Sequence, residues 1–171
     1  MNNFARLMKA GPERFGMRSK AGFTLIELVV TLSVIAILAA LALPRYIALQ
    51  TQARAAKTQA IFGGIRSAAA LAHAQVLATN TVTSGNTVIS MEGQNVTIIN
   101  GYPTADLAGI ITATQINTTA DQIIVTGGGA SAGDLLTINT VGGTTGTCTV
   151  TYQAPAAANT SPGVGVNTIG C

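Results

Sequence analysis

Hydrophobic and polar positions divide the chain into three stretches of different rhythm. From Phe23 to Leu43 a run of 21 residues (23 to 43) is apolar on every side, interrupted only by Thr24, Glu27, Thr31 and Ser33. It predicts a helix about 31 Å long at about 1.5 Å per residue, one hydrocarbon thickness of a membrane. The next stretch, "PRYIALQTQARAAKTQAIFGGIRSAAALAHAQVLA", carries no turn signal before Gly63-Gly64 and predicts a continuation of the helix to Thr79. Ile47, Ile61, Ile65, Leu71 and Val76 are its expected apolar stripe. Arg54, Lys57 and Arg66 are expected to face outward, or toward acids on neighbouring copies. Pro44 removes a backbone hydrogen bond and predicts a kink or a melted turn, and Gly63-Gly64 predicts a weak point. Past Thr79 the chain turns to Thr, Asn, Gly, Ala and Ser with short Val/Ile clusters. "NTVISM", "NVTIIN", "DQIIVTG", "DLLTINT" and "TCTVTYQ" read as strands, with "VGGTTG" as a hairpin loop between the last two.

Charge changes this picture at one end only. Five basic residues (Arg6, Lys9, Arg14, Arg18, Lys20) and one acid (Glu13) precede Gly22, a balance of +4; four basic residues and five acids follow it, a balance of −1. The basic pI therefore belongs to a leader and points to no nucleic-acid site. A positive segment beside an apolar run is the expected cytoplasmic flank of a membrane helix. An ordinary secretory signal carries its small-residue cleavage site after the apolar run. Here Ala21 and Gly22 precede it. Cleavage after Gly22 leaves the hydrophobic helix at the new N-terminus.

Glu27 is the single charge in the apolar run. A charged side chain at the centre of a membrane helix costs roughly 2.5–3.5 kcal/mol, so a reason for keeping it is required. After cleavage Phe23 carries a free α-amino group four residues before Glu27, on the same helical face. The two charges can pair within one chain or between neighbouring copies, where the pairing sets an axial register. A snorkelling or protonated glutamate is the alternative.

The stretch "GFTLIELVVTLSVIAILAALALPRY" resembles the prepilin leader and N-terminal helix of type IV pilins and pseudopilins. Gly22 stands at the cleavage point, Phe23 at the new first position, Glu27 in "TLIEL", and Pro44 at the far end of the apolar run. The resemblance implies a membrane prepilin peptidase that cuts after Gly22 and methylates the Phe23 amine, and a role for Glu27 in subunit incorporation. "NGYPTADLAGI", "CTVTYQ…IGC" and the helix segment after Pro44 are similar to mannose-sensitive-haemagglutinin-type major pilins.

Two cysteines, Cys148 and Cys171, form an even count that favours a disulfide in an exported protein. The bridge closes a 24-residue segment (148 to 171) and stabilises the fold by roughly 3 kcal/mol. That segment, "QAPAAANTSPGVGVNTIG", shows little regular pattern. No nucleophile elbow, P-loop or His/Cys metal spacing occurs. His73 reads as a helix-surface residue, and "GGGASAG" (127–133) as a flexible surface loop. No cofactor, metal or catalytic residue is expected, and no surface ligand is identifiable.

The expected fold is α+β and pilin-like: a long kinked N-terminal helix packed on a four- to five-stranded antiparallel sheet. The expected organisation is a removed leader (1–22), a membrane and filament-core helix (23–43), an amphipathic continuation (44–79) and a β-rich region (80–171). The expected role is a filament subunit serving adhesion or motility. It polymerises with other pilin subunits, depends on the prepilin peptidase and on pilus assembly machinery, and sits in the inner membrane before assembly. In that membrane it is single-pass, with the leader cytoplasmic and the globular part periplasmic; after assembly it is extracellular. A pseudopilin of a type II-like secretion system and a non-polymerising, membrane-anchored periplasmic binding module are the alternatives.

Overall fold

A computed structural model describes residues 22–81, 85–144 and 146–171. Of the expected leader, all but Gly22 lies outside the described residues. The chain divides into two compact units at the Ala42–Leu43 boundary.

Helix α1 runs from Leu25 to Thr79. It is α-helical through Pro44 and through Gly63-Gly64, so neither a melted turn nor a break interrupts it. Leu, Ala, Gln and Lys supply most of its length and are strong helix formers. In the first unit every helical residue is exposed, large side chains included.

In the second unit the helix buries Thr58, Ile65, Ala68, Ala69, Ala72 and Val76. Ile65, Ala69, Ala72 and Val76 follow the i, i+4, i+7, i+11 spacing of one helical face. The expected stripe is corrected at two positions: Leu71 and Ile47 are 61% and 55% exposed. Six residues beyond Ile65, at about 100° per residue, Leu71 falls well off the buried face. Alanines occupy that face because their small side chains let a sheet approach the helix backbone closely.

Strands β1 (Thr87–Met91), β2 (Gln94–Ile99) and β3 (Tyr102–Pro103) form one antiparallel sheet in sequence order. A π-helical turn (Leu107–Ile111) and one helical turn, α2 (Thr112–Thr114), follow. Strands β4 (Ile123–Gly127), β5 (Leu135–Thr140), β6 (Thr149–Gln153) and β7 (Gly163–Asn167) form a second antiparallel meander, also in sequence order. The α+β arrangement is as expected, but the strands are shared between two sheets, and β7 arises in the segment without apparent pattern.

Each sheet has its own place on α1. The four-stranded sheet buries Leu136, Ile138, Val150 and Tyr152 with Ile65 and Ala69, while the three-stranded sheet buries Ile89, Val96 and Ile98 with Ala72 and Val76. The sheets are joined where the Tyr152 hydroxyl donates to the Pro103 carbonyl at 2.7 Å and the Gly129 N–H donates to the Ala105 carbonyl at 2.9 Å. Burial, reinforced by the nearby Tyr102, pushes the Tyr152 hydroxyl well above the ordinary tyrosine range. The glycine-rich segment expected as a flexible surface loop is mostly exposed, and it is tied to the first sheet's end through Gly129 and Ala105. Gly128, at φ +84°, leaves no room for a side chain against Ala105.

Candidate functional site

At its N-terminus the chain is non-helical from Gly22 to Thr24 and helical from Leu25. Thr24 and Glu27 set that boundary together. The Thr24 N–H and its hydroxyl both donate to Glu27 Oε2 at 3.1 Å, and the Glu27 N–H lies 3.3 Å from Thr24 Oγ1. This reciprocal T-x-x-E arrangement is a capping box, which satisfies two backbone donors that the first turn leaves without helical partners. It also places a carboxylate where the positive end of the helix dipole favours one. Thr24 is a capping residue not anticipated from the sequence, although the box is legible in "TLIE". Phe23 is 84% exposed beside the expected cleavage point.

After this start come Leu25, Ile26, Leu28, Val29 and further large apolar side chains, all exposed. The helix is long and apolar enough to cross a membrane, and none of its most apolar window is buried within the chain. Exposed apolar surface on this scale marks an interaction with lipid or protein.

The second site is the clasp between the chain's end and the helix. Cys148 and Cys171 form a disulfide with Cα atoms 4.8 Å apart. Thr58, fully buried on α1, places its hydroxyl 3.3 Å from Cys148 Sγ and 2.8 Å from Thr140 Oγ1 while donating back to the Arg54 carbonyl. Arg54 Nε donates to the Cys171 carbonyl at 2.6 Å, and Lys57 Nζ donates to the Asp121 carbonyl. Both cations are half-buried and bind backbone oxygens of the second unit, which corrects the expectation of an outward face. Arg66 stays exposed and lies over the Phe62 ring at 5.6 Å.

His73 is not a plain surface histidine. Its ring stacks on Tyr102 with centroids 4.1 Å apart, and its Nδ1 lies 2.9 Å from the Gly101 carbonyl. These contacts fix the β2–β3 turn on the helix. Of the expected processing residues Gly22 and Phe23 precede α1, of the expected assembly residues Glu27 lies in its first turn and Pro44 inside it, and the two cysteines bridge within the second unit.

A family model described as the prokaryotic N-terminal methylation motif matches residues 17–43. Over 123 residues, 72% of this chain and all of the relative, the sequence is 35% identical to the "Type IV narrow pilus major component PilA5" of Thermus thermophilus. No solved structure matches. With a leader-type methylation motif, an exposed apolar helix and a four-stranded sheet whose C-terminal end is closed by a disulfide, the chain belongs to the type IV pilin family and is a structural subunit of a pilus rather than an enzyme.

Proposed function

We infer that the chain is a major-type pilin, cut after Gly22 and N-methylated on Phe23, and that its 23–43 segment passes from the inner membrane into the core of an extracellular filament serving adhesion or motility. On this reading the leader is cytoplasmic, the 44–171 region is periplasmic before assembly, and assembly machinery elsewhere supplies the energy.

The observation that carries the reading is the apolar first part of α1, which no described residue covers and which bears the single charge of Glu27. Lipid covers that surface before assembly, and the helices of other copies cover it afterwards. The Glu27 carboxylate then pairs with the Phe23 amine of a neighbour. A carboxylate has about four acceptor positions, so Oε2 can keep its two bonds from Thr24 while the other oxygen receives the amine. Such a pair is favoured because a desolvated charge left without its partner is strongly destabilising.

The test is the intact mass of the protein from a sheared surface fraction, with and without reductant. The expected chain begins at Phe23, carries one extra methyl group and gains two hydrogens on reduction. An uncut chain confined to the membrane fraction contradicts the proposal.

A further inference from the structure

Every charge after Gly22 but two is engaged within its own chain. Glu27 accepts from Thr24, Asp106 from Thr104 and Gly109, Asp121 from Asn117, and Asp134 from Ser131. Arg54 and Lys57 donate to backbone carbonyls, and Arg66 lies over Phe62. The remaining two, Arg45 and Glu92, are both exposed, and their side chains make no hydrogen bond or ring contact with any described residue. One is a cation and the other an anion.

They cannot meet within one chain. Arg45 lies on α1 just after Pro44, whereas Glu92 occupies the β1–β2 turn. That hairpin is tied to the far part of the helix by Gln75 Nε2, which donates to the Ser90 carbonyl at 2.5 Å, and by Met91 packed against Ala72 and Val76. From residue 45 to residue 75 is 30 positions, about 45 Å along the axis.

Glu92 lines a groove of about 510 Å³ together with the polar Gln94, Thr112, Gln115 and Asn117 and the apolar Ile111 and Ile116. The polar lining offers carboxylate and amide oxygens with no cation among them. A guanidinium carries five donors and no acceptor, and its aliphatic stem packs on apolar surface. The oxygen acceptors and the apolar Ile111 and Ile116 thus suit an arginine side chain entering from outside.

We propose that this groove receives Arg45 of a second copy of the chain, forming an intersubunit Arg45–Glu92 ion pair. The proposal rests on the filament reading. For copies whose helices run parallel, the contact sets a stagger of about 45 Å, whereas the Glu27–Phe23 pairing spans four residues, about 6 Å. The two contacts therefore join a subunit to different neighbours, as the repeated head-to-tail contacts of a helical assembly require.

The test compares sheared filaments from R45E, E92R and the R45E/E92R double variant, alongside wild type. Each single reversal is expected to lower filament yield about tenfold at unchanged amounts of cleaved, disulfide-bonded protein in the membrane, and the double variant is expected to restore it. A folding-independent arm mixes R45C and E92C subunits in one filament population, where a reductant-sensitive dimer of the two variants is expected and is absent from either variant alone. Wild-type filaments with normal single variants and no mixed dimer overturn the ion pair and leave the filament reading intact. A wild-type chain that makes no filament overturns both.

Discussion

The two parts of α1 obey opposite rules. Between Leu25 and Ala42 the helix is rich in Leu, Ile and Val, and all of it is exposed. Between Thr58 and Val76 half of the buried positions are alanine (Ala68, Ala69 and Ala72), the others being Thr58, Ile65 and Val76. Hydrophobicity alone thus misjudges burial within the chain. Large apolar side chains are held where the covering surface comes from outside, as lipid or as other copies. Small ones are held where the chain's own sheets must approach the helix axis. Polar anchoring follows the same division: Arg54, Lys57 and Thr58 bind the chain's own carbonyls and disulfide region, whereas Arg45 and Glu92 are left for partners.

The largest effect is expected from E27L, which removes the charge from the first part of α1. The variant should accumulate in the membrane at the wild-type level, because leucine inserts more readily. Filament yield should fall by about two to three orders of magnitude if a desolvated pair is broken. Immunoblots of sheared and membrane fractions read both quantities, and normal filaments from E27L would remove the basis for a register pairing.

Next comes a contrast within the second part. I65A should destabilise the mature protein by about 2–5 kcal/mol, the range for emptying a core position. L71A, six residues later on the same helix, should stay within about 0.5 kcal/mol, as for an exposed site. Urea unfolding of the detergent-solubilised mature protein measures both. Equal losses would show that Leu71 is covered and the two-rule comparison is wrong.

Removing the clasp by a C148S/C171S double substitution should cost about 3 kcal/mol on the chain-entropy model. It should also accelerate amide exchange in β7, which pairs only with β6 and reaches the chain's end through Cys171. Retained slow exchange in Gly163–Asn167 would mean that strand pairing alone holds the tail.

The smallest effect is expected between the sheets. Y152F leaves the Pro103 carbonyl without its donor and should cost about 1 kcal/mol. Burial holds the Tyr152 proton in the folded state at pH values where the unfolded chain releases it. Stability should therefore be fully present below about pH 10 and decline above it, with Y152F weakening the alkaline slope. An unchanged slope in Y152F would assign the alkaline loss to other groups.

Much of this architecture is legible in the sequence, and the failures have physical causes. The five strands expected from the sequence all form, with ends shifted by no more than two residues, because Thr, Val and Ile alternate between Gly and Asn breaks. β7 escapes because "GVGVN" puts glycine where a strand signal needs a side chain. Two sheets read as one because the contacts that separate and join them, Tyr152 to Pro103 and Gly129 to Ala105, involve backbone oxygens that no residue pattern marks. The same holds for Arg54 and Lys57, whose partners are backbone oxygens rather than acidic side chains. The apolar stripe fails at Leu71 because it weights large residues above alanine. At the N-terminus Glu27 stands out as a charge in need of a partner, while Thr24, its capping partner, stands three residues earlier in plain view.

The central claim, that other copies cover the exposed part of α1, is tested most directly by placing a thiol at Leu41, which is 70% exposed within its own chain. The native cysteines are bridged and do not react. In L41C filaments sheared free of membrane, a bulky maleimide should fail to label intact filaments and should label the same protein fully once detergent dissociates them. Equal labelling before and after dissociation would mean that the apolar helix remains uncovered in the filament, and the account would be wrong.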